Sequence, residues 1–183
     1  TFKESLQKAL RGLEVGSFGL GCDGQDAWGT ESQPSELEIR SRLATPGDER
    51  IWYLRYAIKS GFSLENIHEL TGIDPWFLDQ LLQIVEMEDQ LAAIGDLATI
   101  DAQQMRIAKQ YGFSDRQLAT LLGSNEIDVR QRRIEQGVIA TYKSVDTCAA
   151  EFAAFTPYFY SSYEEEDETP PRQKNRKRIM ILG

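Results

Sequence analysis

One histidine, His68, and two cysteines, Cys22 and Cys148, are the chain's whole supply of imidazole and thiol ligands. A structural zinc takes four such ligands, so a Cys/His zinc site made by this chain alone is excluded. The cysteines lie far apart and nothing else suggests secretion. Free thiols in a reducing compartment are expected, although sequence leaves a bridge open. Long apolar runs are missing as well. A membrane helix needs roughly 20 apolar residues, and the stretch 77–85 is broken by Asp79, Gln80 and Gln83. Thr1 is not followed by the apolar run of a secretory signal. Positive charge is in deficit too: 20 Lys and Arg against 29 Asp and Glu leave a net charge of −9. Such a surface repels nucleic acid and anionic membrane, so neither is expected as a partner, and a soluble cytoplasmic protein is (in a eukaryote, one of the stroma or matrix).

What remains is ordinary globular material. Of the 183 residues, 41% are hydrophobic and 27% charged, enough for one domain with extensions. Thr1-Phe2-Lys3-Glu4 has the form of a capping box, and Phe2, Leu6, Leu10 and Leu13 follow at helical spacing. A helix with no lead-in suggests a piece of something longer. Periodicity then disappears over 15–33, where Gly16, Gly19, Gly21, Gly24 and Gly29 predict a surface loop. A phosphate cradle would need a strand before the glycines and a helix soon after. Here a helix precedes them and no GxxxxGK[ST] spacing occurs.

From 34 to 137 the pattern is helix after helix. Pro34 suits a first helical position, and helices are predicted over 49–60, 63–71, 75–94, 101–111, 114–122 and 125–136, most ending at glycine. A repeat runs through them. Ala57-Ile58-Lys59-Ser60-Gly61-Phe62-Ser63, with Ile67, Leu70 and Gly72, matches Ala108-Lys109-Gln110-Tyr111-Gly112-Phe113-Ser114, with Leu118, Leu121 and Gly123. Each copy reads as helix, Gly-Phe-Ser turn, short helix, glycine turn, longer helix. Trp52, Tyr53, Tyr56, Phe62, Trp76, Phe77 and Phe113 are expected to supply much of the buried area.

Beyond Gly137 the character changes. Residues 138–145 are β-prone, 147–155 suit a helical turn or two, and 158–163 suit a strand. Glu164, Glu165, Glu166 and Asp167 could hold a cation, but a flexible acidic run more commonly stays hydrated. The Thr169-Pro170-Pro171 step and the basic stretch 172–178 predict an exposed linker; Lys174 to Lys177 read as solubilising rather than as a localisation signal. Residues 179–183 look like the first buried strand of a parallel sheet.

The repeat also has a helix-turn-helix outline, with 125–136 and its Arg130, Arg132 and Arg133 as recognition helix. The matching helix of the first copy carries Asp74, Asp79, Glu86, Glu88 and Asp89, which phosphate would repel. A solvated face is the simpler reading of the arginines. Cys148 lacks a nearby base, since His68 is the only histidine, and a packed thiol is expected. No catalytic pair emerges.

Residues 6–16, 142–152 and 160–166 are among several segments that, taken in order, resemble one family, the carbamoyl-phosphate synthetase large subunits. Leu6-Gln7-Lys8-Ala9-Leu10-Arg11-Gly12-Leu13-Glu14-Val15-Gly16 is similar to the close of the first synthetase half. Arg50-Ile51-Trp52-Tyr53, Gly72-Ile73-Asp74-Pro75-Trp76-Phe77-Leu78, Tyr142-Lys143-Ser144-Val145-Asp146-Thr147-Cys148-Ala149-Ala150-Glu151-Phe152 and Tyr160-Ser161-Ser162-Tyr163-Glu164-Glu165-Glu166 resemble the central helical domain and its exit. Arg178-Ile179-Met180-Ile181-Leu182-Gly183 resembles the first strand of the second half. The loop 20–33 and linker 168–177 show no family pattern. The resemblance implies a parent ligase, with a glutamine amidotransferase small subunit, that makes carbamoyl phosphate for arginine and pyrimidine synthesis. Its substrates would be bicarbonate, glutamine-derived ammonia and two ATP, with magnesium or manganese and potassium. The ATP, metal and catalytic residues of the family lie outside this segment.

The expected architecture is a mainly α, multi-helix orthogonal bundle built on a duplicated helix-turn-helix-like unit, with short extended segments and an orphan strand at the C-terminal end. Residues 1–16 are expected to end an ATP-grasp half, 17–33 to form a loop, and 34–145 the helical oligomerisation domain. Residues 146–177 would form a connector and 178–183 open the following half. No catalytic, cofactor or metal residue is expected within it. Self-association is assigned to the long helix 76–94, with Leu82, Val85 and Leu91 as the candidate surface. An acidic helix-turn-helix-like module binding DNA or protein is the alternative.

Overall fold

The described residues contain eight helices, most of them capped by Ser, Thr, Asp or Asn: α1 (Phe2–Gly12), α2 (Glu36–Ala44), α3 (Arg50–Lys59), α4 (Leu64–Thr71), α5 (Pro75–Ile94), α6 (Ala102–Gln110), α7 (Asp115–Leu121) and α8 (Glu126–Glu135). Two short strands follow, β1 (Thr141–Ser144) and β2 (Phe159–Ser162). The computed structural model describes residues 1–152 and 158–169, which form two units, one from Thr1 to Ile139 and one from Ala140 onward.

The duplication seen in the sequence is reproduced in the backbone of the two turns. Phe62 N–H donates to Ala57 O and Phe113 N–H to Ala108 O, at 3.0 and 3.2 Å. Gly61 and Gly112 sit at φ +83° and +89°, the left-handed conformation that ends a helix without a Cβ penalty. Ser63 and Ser114 then cap α4 and α7 with nearly identical dihedrals, each accepting from the backbone N–H three residues on. Thus α3–α4–α5 and α6–α7–α8 are two copies of one design. Asp74 caps α5 with Pro75 in its first turn, and Gly95 in the left-handed region ends it.

Three local expectations change. Pro34 is not the first residue of α2, because Ser35 caps that helix through Glu38 N–H and the proline lies outside it. The loop 15–33 is no mere surface loop, since Leu20, Cys22 and Asp23 are buried. The aromatic core is smaller than expected: Tyr56 and Phe113 are buried, whereas Trp76 and Phe77 are 53% and 44% exposed. Both lie on the first turn of α5, at the start of its buried stripe Leu78, Leu81, Ile84, Val85, Glu88 and Leu91, and pack against one another and Phe2. Aliphatic side chains fill the interior instead, among them Ile39, Leu43, Ile67, Leu78, Ile100, Met105 and Leu118.

In the second unit β1 and β2 pair antiparallel, with Thr141 opposite Ser162 and Ser144 opposite Phe159. The acidic run is not left to water alone. Lys143 Nζ lies 3.2 Å from Glu166, 3.3 Å from Glu168 and 3.8 Å from Glu164. Residues 147–150 form turns rather than a helix, with Ala149 and Ala150 at positive φ. Residues 153–157, the basic stretch 172–178 and the strand expected at 179–183 lie outside the described residues.

Candidate functional site

The glycine-rich segment between α1 and α2 rests on buried polar side chains. Gln7 of α1 and Gln117 of α7 are both fully buried. Gln117 Nε2 donates to Gln7 Oε1 at 3.1 Å and to Gly21 O at 2.8 Å. Gln7 Oε1 also accepts from Leu20 N–H, and Gln7 Nε2 donates to Tyr111 O. Three chain segments therefore meet on two amides whose donors and acceptors are used within the fold. A Cβ at Gly19 would collide with both amide groups, and one at Gly21 would stand 2.5 Å from the Arg55 guanidinium. These glycines are required by close approach.

Beneath the loop lies a charge network. Arg55, 2% exposed at its side chain, forms two parallel hydrogen bonds with Glu88, and its third nitrogen reaches Asp26 Oδ1 at 3.1 Å. Lys59 Nζ bridges Glu88 and Asp89, each at 2.8 Å. Asp26 in turn accepts from Cys22 N–H and Trp28 N–H, while Asp23 accepts from Phe18 N–H and Gln25 N–H. Burial by itself lowers the Arg55 pKa, but the hydrogen bonds and charge of Glu88 outweigh it and push it up. Burial, and after it Glu88, holds the Cys22 thiol well above its ordinary range, so it is no thiolate nucleophile. Loop, α3 and α5 are clamped together.

A second buried clamp joins α6, α7 and α8. Lys109 Nζ donates to Phe113 O at 2.6 Å and to Asp115 Oδ1 at 2.7 Å, and Arg133 Nε donates to Asp115 Oδ2 at 2.8 Å. Burial lowers Lys109 to about 8 against the opposing pull of Asp115. Arg132 Nη2 donates to Ala98 O at 3.1 Å. Two of the three arginines expected on a solvated face are therefore engaged within the unit; Arg130 is exposed.

Of the three residues expected on an association surface, two are buried. Val85 and Leu91 are 3% and 1% exposed, packed into the bundle, and Leu82 is half-buried. α5 contacts α1, α3, α4 and α7, so most of its apolar circumference is covered within the unit. Other apolar side chains stay on the surface, among them Leu37 at 80% exposure, Ile127 at 75%, and the Trp76–Phe77 pair. His68 is exposed with Nδ1 2.7 Å from Ile73 O, and Cys148, expected to be packed, is half-buried. Among the described residues, no group of three His, Cys, Asp or Glu could hold a metal ion, and no helix is long and apolar enough to cross a membrane.

The buried roles of Gln7, Gln117 and Arg55 leave no signal in the sequence pattern. The signal was present for Glu88, which falls on the stripe Leu81, Ile84, Val85, Leu91 and so places a charge on a buried face.

Comparison with known proteins gives one consistent result. Residues 1–137 match the family model described as carbamoyl-phosphate synthetase large chain, oligomerisation domain. The whole chain is similar to proteins named carbamoyl phosphate synthase large chain: 60% identical in Rhodopirellula baltica, 48% in Archaeoglobus fulgidus and 50% in Nostoc. It spans 17%, 17% and 16% of their lengths, about a sixth.

Proposed function

The chain belongs to the family of carbamoyl-phosphate synthetase large-chain oligomerisation domains, and from that premise we propose that it acts as a non-catalytic scaffold between two ATP-grasp halves. In this reading the parent is a cytoplasmic ligase making carbamoyl phosphate from bicarbonate, ammonia supplied by a glutamine amidotransferase small subunit, and two ATP. Magnesium or manganese and potassium serve sites outside this chain. The observation that carries the scaffold role is where the buried charge goes. Arg55, Glu88, Lys59 and Asp26 join helix to helix and loop to helix, as do Lys109, Asp115 and Arg133. Those bonds hold a shape, and rigid spacing is what a connector between two modules requires.

Self-association then falls to surface apolar residues rather than to the stripe of α5. Leu37 protrudes most among the large hydrophobic residues of the helical unit. Sedimentation velocity of the chain with Leu37→Glu and, separately, Trp76→Glu tests this. Conversion of an associated species to monomer by either variant supports the reading, and an unchanged mass with both removes these residues from the contact. Steady turnover of ATP with bicarbonate by the purified chain would overturn the non-catalytic role.

A further inference from the structure

Beside the clamped loop, a groove of about 490 Å³ opens between the segment after α1 and the start of α3. Trp52, Tyr53 and Tyr56 form its aromatic wall, and Leu13 and Val15, 56% and 63% exposed, stand at its edge. Asp23, Asp26, Asp48 and Glu49 also line it, and no lysine or arginine does. Arg55 pairs with Asp26 and Arg42 with Glu49 from outside the lining, and Asp23, 4% exposed, accepts from the N–H groups of Phe18 and Gln25; the exposed Asp48 has no ion-pair partner among the described residues. The groove thus combines apolar edges, aromatic faces and surplus negative charge. Aromatic faces attract guanidinium and ammonium groups through the ring quadrupole, and nearby carboxylates add to that attraction. Two side chains already show the preference here, since the Arg42 guanidinium lies 5.4 Å from the Tyr53 ring centre and the Arg55 guanidinium 6.0 Å from that of Tyr56.

We propose that this groove docks an extended polypeptide segment in which arginine or lysine alternates with apolar residues. The basic side chains meet Asp48 and the faces of Trp52 and Tyr53; the apolar ones lie against Leu13 and Val15. Charge complementarity selects this occupant over a second copy of the same groove, because two copies would bring like charges together. The chain's own net charge of −9 likewise favours a basic partner. The proposal holds whether or not the chain self-associates.

The test is fluorescence anisotropy of a dye-labelled, end-blocked hexapeptide alternating leucine and arginine, titrated with the 183-residue chain. Binding should weaken on addition of salt and fall about threefold to fivefold in Asp48→Asn and in Tyr53→Leu, with a larger loss in the double variant. Asp48→Asn keeps the side-chain oxygen that accepts from Glu49 N–H, and thermal melts of each variant separate lost binding from lost folding. A leucine–glutamine hexapeptide should bind at least tenfold more weakly. Equal binding of that peptide overturns the proposal, as does binding unchanged in both variants. Argininamide binding as tightly as the arginine peptide overturns the polypeptide occupant in favour of a free organic cation. An associated species that binds no peptide, and is dissociated by Tyr53→Leu, assigns the groove to a second copy and overturns it as well.

Discussion

The guanidinium of Arg55 holds the carboxylate of Glu88 through hydrogen bonds of 2.8 and 2.7 Å, although 33 positions separate the two residues. Both side chains are nearly inaccessible to water, so neither charge can be left alone. Removing one partner of such a buried pair costs about 3–5 kcal/mol, while replacing both with apolar groups of similar size is far milder. Arg55→Met and Glu88→Leu should therefore each lower stability in urea titrations by several kcal/mol. The double variant should lose less than the sum, and a strictly additive pair would show that the two residues are not coupled.

The loop's glycines provide a second check. Gly19→Ala and Gly21→Ala should each destabilise by roughly 1–3 kcal/mol, because the new methyl meets buried amide or guanidinium atoms that are fixed by their own bonds. Gly12, within α1, has open space where a Cβ would stand. Gly12→Ala should be neutral or stabilise by up to about 1 kcal/mol, since alanine favours helix. Equal urea midpoints for all three variants would disprove the close approach.

Lys109 predicts an alkaline signature. Its pKa falls from the ordinary 10.5 to about 8 in the folded chain. Between those values the unfolded chain holds a proton that the folded chain has released, so this group makes stability rise with pH. Asp115 and Arg133 face Lys109 within the clamp, and Arg11 opposes its charge from α1. In Lys109→Met the rise from pH 8 to pH 10 should be smaller than in the unaltered chain. The first copy of the repeat carries Ile58 at the matching position, so an apolar residue is compatible with this turn. Melting temperatures across that pH range, compared between the two chains, decide the matter; parallel curves would disprove it.

In the second unit the Ser144 N–H donates to Glu168 Oε2 at 2.7 Å, and Lys143 adds its charge. The backbone bond first, then Lys143, draws the Glu168 pKa below its ordinary 4.5. A depressed carboxylate keeps its stabilising contribution above the ordinary pKa and loses it as pH falls through the folded value. The amide shift of Ser144 should thus titrate at a pH below 4.5, and Lys143→Met should move the midpoint upward. A Ser144 shift that stays flat down to full protonation of the carboxylates would show that the bond is not formed.

Many helix boundaries were legible because the end carries its own chemistry within a few residues, as at Ser63 and Gly72 or Asp74 and Gly95. The repeat was legible for the same reason, its Gly-Phe-Ser turns being local. The association surface was not. Val85 and Leu91 look like an excess of apolar surface on a long helix until α1, α3, α4 and α7 are placed around it. The glycine-rich loop was misread similarly, for polar composition suggests solvent while its backbone rests on Gln7, Gln117 and Arg55.

Local chemistry in the sequence determined the helices, their caps and the doubled architecture, and the motif order pointed to the family. Only the tertiary structure decided which charges are buried and which apolar residues stay outside. Burial depends on neighbours brought from distant parts of the chain, as Glu88 is brought to Arg55, and no window along the sequence contains both.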